Sequence, residues 1–260
     1  MMTDLTTLAP TCGSSDTAAP FADNLPNKVD GVECSNELSK PRKPPTPPPQ
    51  RHRWIFFFAI RGDLRFISHH DTMRLFRRAL ARAALPVRFS QGFNPQPRIS
   101  LPLPRPVGVA SEAEAAVIEF DHAIDAEEAI DRLRKAAPPG LVFMGIRPLP
   151  SSASPQAESV RYGLSLPGVV SPELNERIRS VMDSATLPIQ RKNHKTGKVS
   201  TFDVRPYLRE ISAVETGVEF MISMLNGVGP KPSEIAALLH CGDGPINHRV
   251  RRLVINWNFS

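Results

Sequence analysis

Three short segments carry the residue types that do chemistry in this sequence. The first is SHHD, residues 68–71, where Ser68 and Asp71 flank two histidines at the predicted start of a helix. Backbone N–H groups and the helix dipole favour an anion at such a place. His69 can act there as a general acid or base, as a ligand or as a phosphate contact. A simpler interpretation stays open, in which Ser68 and Asp71 only cap the helix and both histidines lie in solvent.

The second segment is a proline-rich loop, residues 90–104, with the sequence SQGFNPQPRISLPLP. Glycine adopts a positive φ freely and Asn-Pro favours a turn, so the loop is bent and stiff. A stiff loop that presents a ring, an amide and a guanidinium suits single-stranded nucleic acid. The alternative is a rigid connection between strands with Phe93 buried. The candidate binding residues here are Ser90, Gly92, Phe93, Asn94 and Arg98.

The third segment combines RKNHKTGK, residues 191–198, with FDVRPYL, residues 202–208. Lys195 and Lys198 lie in a predicted basic hairpin turn, which is typical either of a phosphate contact or of an ordinary solvated surface. Arg205 lies between apolar residues, and a half-buried arginine needs a partner. That partner is either a ligand or a structural carboxylate such as Asp203.

A helix predicted over residues 68–84 positions the first segment. Its apolar residues recur at helical spacing on one side, so that side is expected to be buried. The opposite side is cationic. Arginine suits phosphate because its planar guanidinium presents a fork of donors. The candidate phosphate contacts on and before this helix are Arg65, Arg74, Arg78 and Arg82.

The order of predicted elements indicates the fold. Residues 53–148 alternate as strand, helix, strand, strand, helix, strand, with one strand placed at Val87–Gln91. A weaker copy follows residues 149–156, which are predicted to be a linker. This order is typical of the split βαβ arrangement. We therefore expect an α+β fold of two tandem ferredoxin-like units, at 51–150 and 157–260, each an antiparallel sheet with helices on one face.

Residues 1–50 differ from the rest. They are rich in Ser, Thr, Asp and Pro, and they end in PRKPPTPPPQ, which favours extended polyproline II. We expect a disordered N-terminal tail. The following sixty residues, 51–110, hold eleven arginines and two acidic residues, although the whole chain carries a formal net charge of only +6. The basicity is therefore local, and it points to a polyanionic partner for the first unit.

Several known types of active site are absent from the sequence. There is no P-loop, no GxSxG elbow and no HExxH motif. Cys12, Cys34 and Cys241 are far apart and form neither a zinc pattern nor a disulfide framework. No apolar run is long enough to span a bilayer, and we expect no signal peptide, because the N-terminal residues lack a basic segment followed by an apolar one. We expect a cytoplasmic protein without a membrane or metal site and leave the question of an enzyme open, with no catalytic group assigned beyond His69.

Two separated stretches resemble a known family. Residues 62–114 are similar to the pattern GxLRFxSHxDxxRxxxRAxRRAxLPxxxSxGFxPxPxIS, followed by PxGxxSxxE, of the radical-SAM-linked proteins, the DUF2344 domain. Residues 195–208, KTGKVSTFDVRPYL, resemble that family's K-x-G-K…D-x-RPY stretch. His70 stands where the family pattern usually has an apolar residue, which argues against a site built on two histidines.

The resemblance implies a radical SAM enzyme of the cobalamin-binding type as the partner. The iron–sulfur cluster, SAM and cobalamin are expected only on that partner, because this chain has no CxxxCxxC motif. With the local basicity, this predicts a non-catalytic accessory that binds RNA, such as tRNA or rRNA, or presents a substrate. Two alternatives stay open: an RNA-processing or RNA-modifying enzyme that uses His69 as acid–base, and a protein-only scaffold for the radical SAM partner.

Overall fold

The computed structural model describes residues 51–166, 171–193, 195–241 and 246–260, so the predicted tail at residues 1–50 lies outside the described residues. The elements of the first half are β1 His52–Ile60, α1 His69–Arg82, β2 Ile99–Ser100, β3 Ala110–Phe120, α2 Ala126–Ala136 and β4 Leu141–Leu149. Those of the second half are β5 Gln156–Ser165, α3 Pro172–Asp183, β6 Pro188–Lys192, β7 Val199–Asp203, β8 Leu208–Val214, β9 Gly217–Ser223, α4 Pro232–Leu238 and β10 Val250–Asn258.

Local sequence accounts for the helix boundaries. In α1 the Ser68 side chain accepts the N–H of Asp71, and Phe76, Ala79 and Leu80 form the buried face. The helix ends two residues earlier than the sequence pattern indicates, because Ala84 takes a φ of +50° and turns the chain. The other three helices begin in the same way, after a residue with extended backbone.

The predicted strand at Val87–Gln91 is wrong. Val87 and Phe89 each form only an isolated bridge, to Phe120 and Pro97, and the regular strand in this region is the two-residue β2. The position of β2 accounts for the difference. Because β2 pairs with Val117 and Ile118 of β3, only the end of β3, at Phe120, is left to pair with Val87.

One eight-stranded sheet runs through both halves of the described chain, with the order β4-β1-β3-β10-β5-β9-β8 and with β2 also paired to β3. All neighbours are antiparallel except β3 and β10, which pair in parallel at Ala110–Arg251 and Ser111–Arg252. The prediction of antiparallel sheets alone is therefore wrong, and the sheet is mixed. Since β2 covers only Val117 and Ile118 of β3, the start of that strand keeps a free edge, and β10 occupies it.

The hairpin of β6 and β7 forms a separate two-stranded sheet. The main sheet packs against its helices through two apolar clusters. In the first half, Phe58 contacts Phe76 of α1 with their ring centroids 4.7 Å apart. In the second half, Tyr162 stacks on Phe220 within a cluster that also contains residues of α3 and α4. These contacts hold the loops and hairpins that carry the candidate site.

None of the helices in the described part of the chain has the length and apolar character needed to cross a membrane.

Candidate nucleic-acid interface

The SHHD segment forms the cap of α1. The Ser68 hydroxyl accepts the N–H of Asp71 at 3.1 Å and donates to the Asp71 carboxylate at 2.7 Å. The hydroxyl contact, with a weaker contribution from Arg74, holds the pKa of Asp71 below its usual value. Ser68 and Asp71 are thus engaged with each other, as the capping interpretation predicts.

His69 and His70 lie in different surroundings. His70 is exposed, whereas His69 is half-buried beside a narrow cavity that Thr72, Arg105 and Glu114 also line. The Glu114 carboxylate is the acidic group of this cavity, and it is held by Arg252 at 2.9 Å. A carboxylate that is already paired is less able to orient or activate an imidazole.

The predicted cationic face of α1 is only partly free. Arg74 pairs with Asp71 at 3.0 Å on the surface. Arg82 donates to the carbonyl of Ala136 at 2.7 and 3.2 Å, so it links α1 to the end of α2. Arg78 is exposed, and no carboxylate among the described residues lies within ion-pair distance of it. The helix therefore contributes less free charge than its arginine count indicates.

Residues 88–98 form a short projecting loop that we call the aromatic hairpin. Its two sides are joined by Arg98 N–H to the carbonyl of Arg88 and by Ser90 N–H to the carbonyl of Gln96, both at 2.8 Å. The Ser90 hydroxyl also accepts the Gln96 N–H at 2.9 Å. The base is fixed to β3 by hydrogen bonds in both directions with the backbone of Glu119.

Phe93 is at the tip of the aromatic hairpin. Gly92 beside it takes a φ of +140°, a conformation that side chains rarely allow. The Phe93 ring has a relative exposure of 112%, so it packs on nothing in the described chain. Asn94 accepts a hydrogen bond from the Gln96 side chain at 3.1 Å. The backbone of the hairpin is thus well held while its aromatic ring is fully available.

The β6–β7 hairpin, residues 188–203, projects separately, and we call it the lysine hairpin. Lys192, Lys195 and Lys198 are exposed, and no described carboxylate pairs with them. Arg191 points the other way, because it binds Glu234 at 2.7 and 2.9 Å and stacks on Phe202. The arginine fixes the hairpin to α4, and the lysines remain free.

Asp203 closes the base of the lysine hairpin. Its carboxylate accepts the backbone N–H of Leu187 at 2.7 Å and that of Arg205 at 3.0 Å. These two hydrogen bonds lower the pKa of Asp203 below its usual value. The carboxylate therefore takes the backbone of Arg205 rather than its guanidinium, contrary to the partnership that the sequence suggests.

The guanidinium of Arg205 has structural partners. It donates to the carbonyls of Met182, Ser184 and Leu208 at 3.0 to 3.2 Å, so it satisfies the end of α3. Because all three guanidinium nitrogens donate to backbone carbonyls, a structural role is favoured over a ligand contact.

The predicted residues do not meet in one cavity. Ser90 and Arg98 line a cavity of about 250 Å³ beside the aromatic hairpin. Arg65 lines a different groove, and His69 lines the narrow cavity described above. Seven of the fifteen candidates lie on the two hairpins, six lie on α1 or at its cap, and Arg65 and Arg205 lie apart from both groups. Within the described residues, no three His, Cys, Asp or Glu side chains are grouped to hold a metal.

The sequence did not predict a buried cluster that is formed by Glu114, Tyr162 and Arg252. Arg252 donates to Glu114 at 2.9 Å, to the Tyr162 hydroxyl at 3.1 Å and to the Pro104 carbonyl at 2.9 Å. Burial lowers the pKa of Arg252, but the attraction and hydrogen bonds of Glu114 and Tyr162 together outweigh burial, so the pKa is raised. The feature of the sequence that could have indicated this cluster is a charged residue within each of two otherwise apolar strands.

Arg105 is a second buried arginine beside this cluster. It donates to the carbonyls of Arg65 and Val109 at 2.7 and 2.6 Å, so it holds the loop that precedes β3. Desolvation lowers its pKa, with partial compensation from Glu114. The feature of the sequence that could have indicated this role of Arg105 is its position between two prolines, because a stiff backbone segment orders the side chain that it carries.

A comparison with protein families supplies the wider context. The family model described as "uncharacterized protein conserved in bacteria (DUF2344)" matches residues 53–241. The chain belongs to this family. The matched range contains both hairpins and the cap of α1, but it ends before β10. No curated protein matches the chain. Since this family is itself uncharacterised, membership assigns no activity to the hairpins.

Proposed function

We propose that this protein binds single-stranded segments of RNA through the aromatic and lysine hairpins. The fully exposed Phe93 ring on a well-held hairpin carries the proposal. A large apolar ring that packs on nothing costs solvation free energy in the free protein, and a base that stacks on it removes that cost. Because the hairpin backbone is already ordered, little conformational entropy is lost on binding.

The charges of the lysine hairpin support the same function. Its three exposed lysines lack acidic partners among the described residues, so they are available to neutralise phosphates. Arg98 adds an exposed guanidinium at the base of the aromatic hairpin. Stacking by one hairpin and phosphate contacts by the other are the two interactions that hold single strands without sequence preference.

We further propose a cytoplasmic, non-catalytic accessory role beside a radical SAM enzyme, with tRNA or rRNA as the RNA. The support is the resemblance of residues 62–114 and 195–208 to the radical-SAM-linked proteins. The protein would present RNA, and its partner would carry the iron–sulfur cluster, SAM and cobalamin.

We infer that the two halves are tandem ferredoxin-like units that share one sheet. The support is topological: the strands run β4-β1-β3, with β2 on β3, in one half and β10-β5-β9-β8 in the other. Each half also supplies two helices. This inference rests on architecture and adds nothing about chemistry.

The test measures binding of the full chain to tRNA and to rRNA fragments. Phe93→Ala removes one stacking partner and is expected to weaken binding about tenfold, since stacking contributes roughly 1–3 kcal/mol per base. Phe93→Trp keeps a ring at the tip and is expected to preserve the affinity. Equal affinity of wild type and Phe93→Ala would contradict the proposal.

The lysines are tested through salt dependence. Replacing Lys192, Lys195 and Lys198 by Gln is expected to reduce the slope of log K against log salt by about 2, because each phosphate contact contributes roughly 0.7. The matched control replaces the exposed Lys135, Arg177 and Arg179 by Gln, which leaves the slope unchanged. If both triple variants lower the slope equally, the attraction is a general one and not that of the hairpin. RNA cleavage that disappears in His69→Ala would instead favour the enzyme alternative.

A further inference from the structure

A groove of about 490 Å³ lies where β10 joins the two halves of the sheet, and we call it the junction groove. A row of paired residues crosses its floor. Ala110 of β3 pairs with Arg251 of β10, which pairs with Gly163 of β5, which pairs with Glu219 of β9. Neighbouring Tyr162 packs in the core with the helices, so Gly163 faces the opposite side of the sheet, which is free of α3 and α4.

Glycine at position 163 leaves room for the Leu253 side chain, which lies over it. A Cβ there would meet Leu253 at 3.3 Å. Leu253 and Val214 give the groove an apolar surface. The turn between β8 and β9 forms one wall. It is held by the N–H of Leu166, which donates to the carbonyl of Thr216 at 2.9 Å.

The remaining wall of the junction groove is cationic. Its basic side chains outnumber the single acidic one, Glu219, which lies 3.8 Å from Arg161. Arg251 has only a distant partner, because Glu112 lies 3.7 Å from it and 2.6 Å from Arg61. The basic residues that line the groove are Arg65, His248, Arg249 and Arg251.

Two of these arginines have unused donors. The Nε of Arg65 is buried and makes no hydrogen bond in the described part of the chain. Arg249 is exposed, and no described carboxylate pairs with it. An anion in the groove would accept hydrogen bonds from the exposed guanidinium of Arg249. The groove therefore combines a guanidinium that no described carboxylate pairs with and an apolar floor.

We propose that the junction groove binds a nucleotide. Arg249 and Arg251 hold its phosphate, and the base lies on the apolar floor over Gly163 and Leu253. The volume lies within the range of small-molecule sites, about 300–1,000 Å³. This site is separate from both hairpins, so it can be tested independently of the proposed RNA interface. The nucleotide is either a free one or the phosphorylated end of an RNA strand.

The first experiment titrates the full chain with AMP, with adenosine and with inorganic phosphate by calorimetry. AMP is expected to bind at least tenfold more tightly than adenosine, because only AMP reaches the arginines. Arg249→Gln combined with Arg251→Gln is expected to weaken AMP at least tenfold. The matched control, Arg177→Gln with Arg179→Gln, removes the same charge from exposed positions on α3 and stays within twofold of wild type.

A second arm identifies the source of the nucleotide. An RNA octamer with a 5′-phosphate is compared with the same octamer carrying a 5′-hydroxyl. If only the phosphorylated octamer is weakened by the Arg249 and Arg251 substitutions while AMP does not bind, the groove takes the end of a strand. Gly163→Val tests the floor, since it should exclude the base and leave binding of inorganic phosphate unchanged.

The proposal is overturned if neither AMP nor the phosphorylated octamer responds to the Arg249 and Arg251 substitutions by more than twofold. It is also overturned if the control variant weakens both ligands equally. Loss of octamer binding in Phe93→Ala, with AMP binding intact, leaves this proposal standing and concerns the hairpins alone.

Discussion

Removal of the Glu114 carboxylate should destabilise the whole fold, because it leaves a charge buried at the junction of the two halves. Glu114 and Arg252 have side-chain exposures of only 6% and 3%, and their charged atoms are 2.9 Å apart. Glu114→Gln keeps the shape of the side chain and removes its charge. Arg252 then keeps only neutral partners, which are the Tyr162 hydroxyl, the Pro104 carbonyl and the amide oxygen of the substituted side chain.

The expected cost follows from that geometry. Breaking a buried ion pair from one side typically costs about 3–5 kcal/mol, since the remaining charge is uncompensated. Neutral partners of Arg252 remain, so we expect the lower part of that range, about 3 kcal/mol. With an m-value of roughly 2 kcal/mol per M, the midpoint of urea unfolding should fall by about 1.5 M.

The assay is urea unfolding followed by circular dichroism. Glu128→Gln is the matched control, because it removes the same charge from an exposed pair with Arg132 on α2, and we expect it to cost no more than about 0.5 kcal/mol. Adding Arg252→Met to Glu114→Gln should recover stability, since the unpaired charge is then gone. If Glu114→Gln costs no more than Glu128→Gln, the buried Glu114–Arg252 pair does not stabilise the fold as its geometry requires.

Two further predictions concern the backbone and pH. Gly217→Ala should cost about 3 kcal/mol or more in urea unfolding, because Gly217 has a φ of +148° and its added Cβ would overlap the carbonyl of Leu164. Gly197→Ala, at a φ of +70° with open space, should cost only about 1–2 kcal/mol, and equal costs would contradict the argument. Hydrogen bonds from the backbone make the pKa of Asp203 lower in the folded protein than in the unfolded one. Its carboxylate therefore stabilises the fold at a pH above the unfolded pKa, and this stabilisation is lost as the pH falls through the folded pKa. Asp203→Asn should therefore be less stable at neutral pH and lose less stability on acidification, as pH-dependent unfolding would show.

Local patterns were sufficient for most secondary structure. The spacing of apolar residues places α1, and the Ser68 cap marks its start because the hydroxyl reaches an N–H only three residues away. The strand predicted at Val87–Gln91 failed for a nonlocal reason. Whether an extended segment becomes a strand depends on the partner beside it, and here β2 already occupies Val117 and Ile118 of β3 and leaves only Phe120 to Val87.

The candidate site divides in the same way. The types of residue on the two hairpins, an aromatic tip and a run of lysines, are readable from the chain because each hairpin is formed by near neighbours. The partners of Arg82 and Arg205 are not readable, since both guanidinium groups bind carbonyls of elements 21 to 54 residues away. Because of these contacts, the two arginines that the sequence suggests as ligand contacts stabilise the fold instead.

Composition and periodicity thus determined the α+β class, the helices and the concentration of arginine in residues 51–110, because each depends on neighbours along the chain. Tertiary structure decided that β10 joins β3, that Arg252 meets Glu114 and that a cationic groove opens at their junction. Arg252 and Glu114 are 138 residues apart. Pairing over such a distance is selected by the free edge of β3 and by the cost of leaving either charge buried alone, and both appear only when the sheet is assembled.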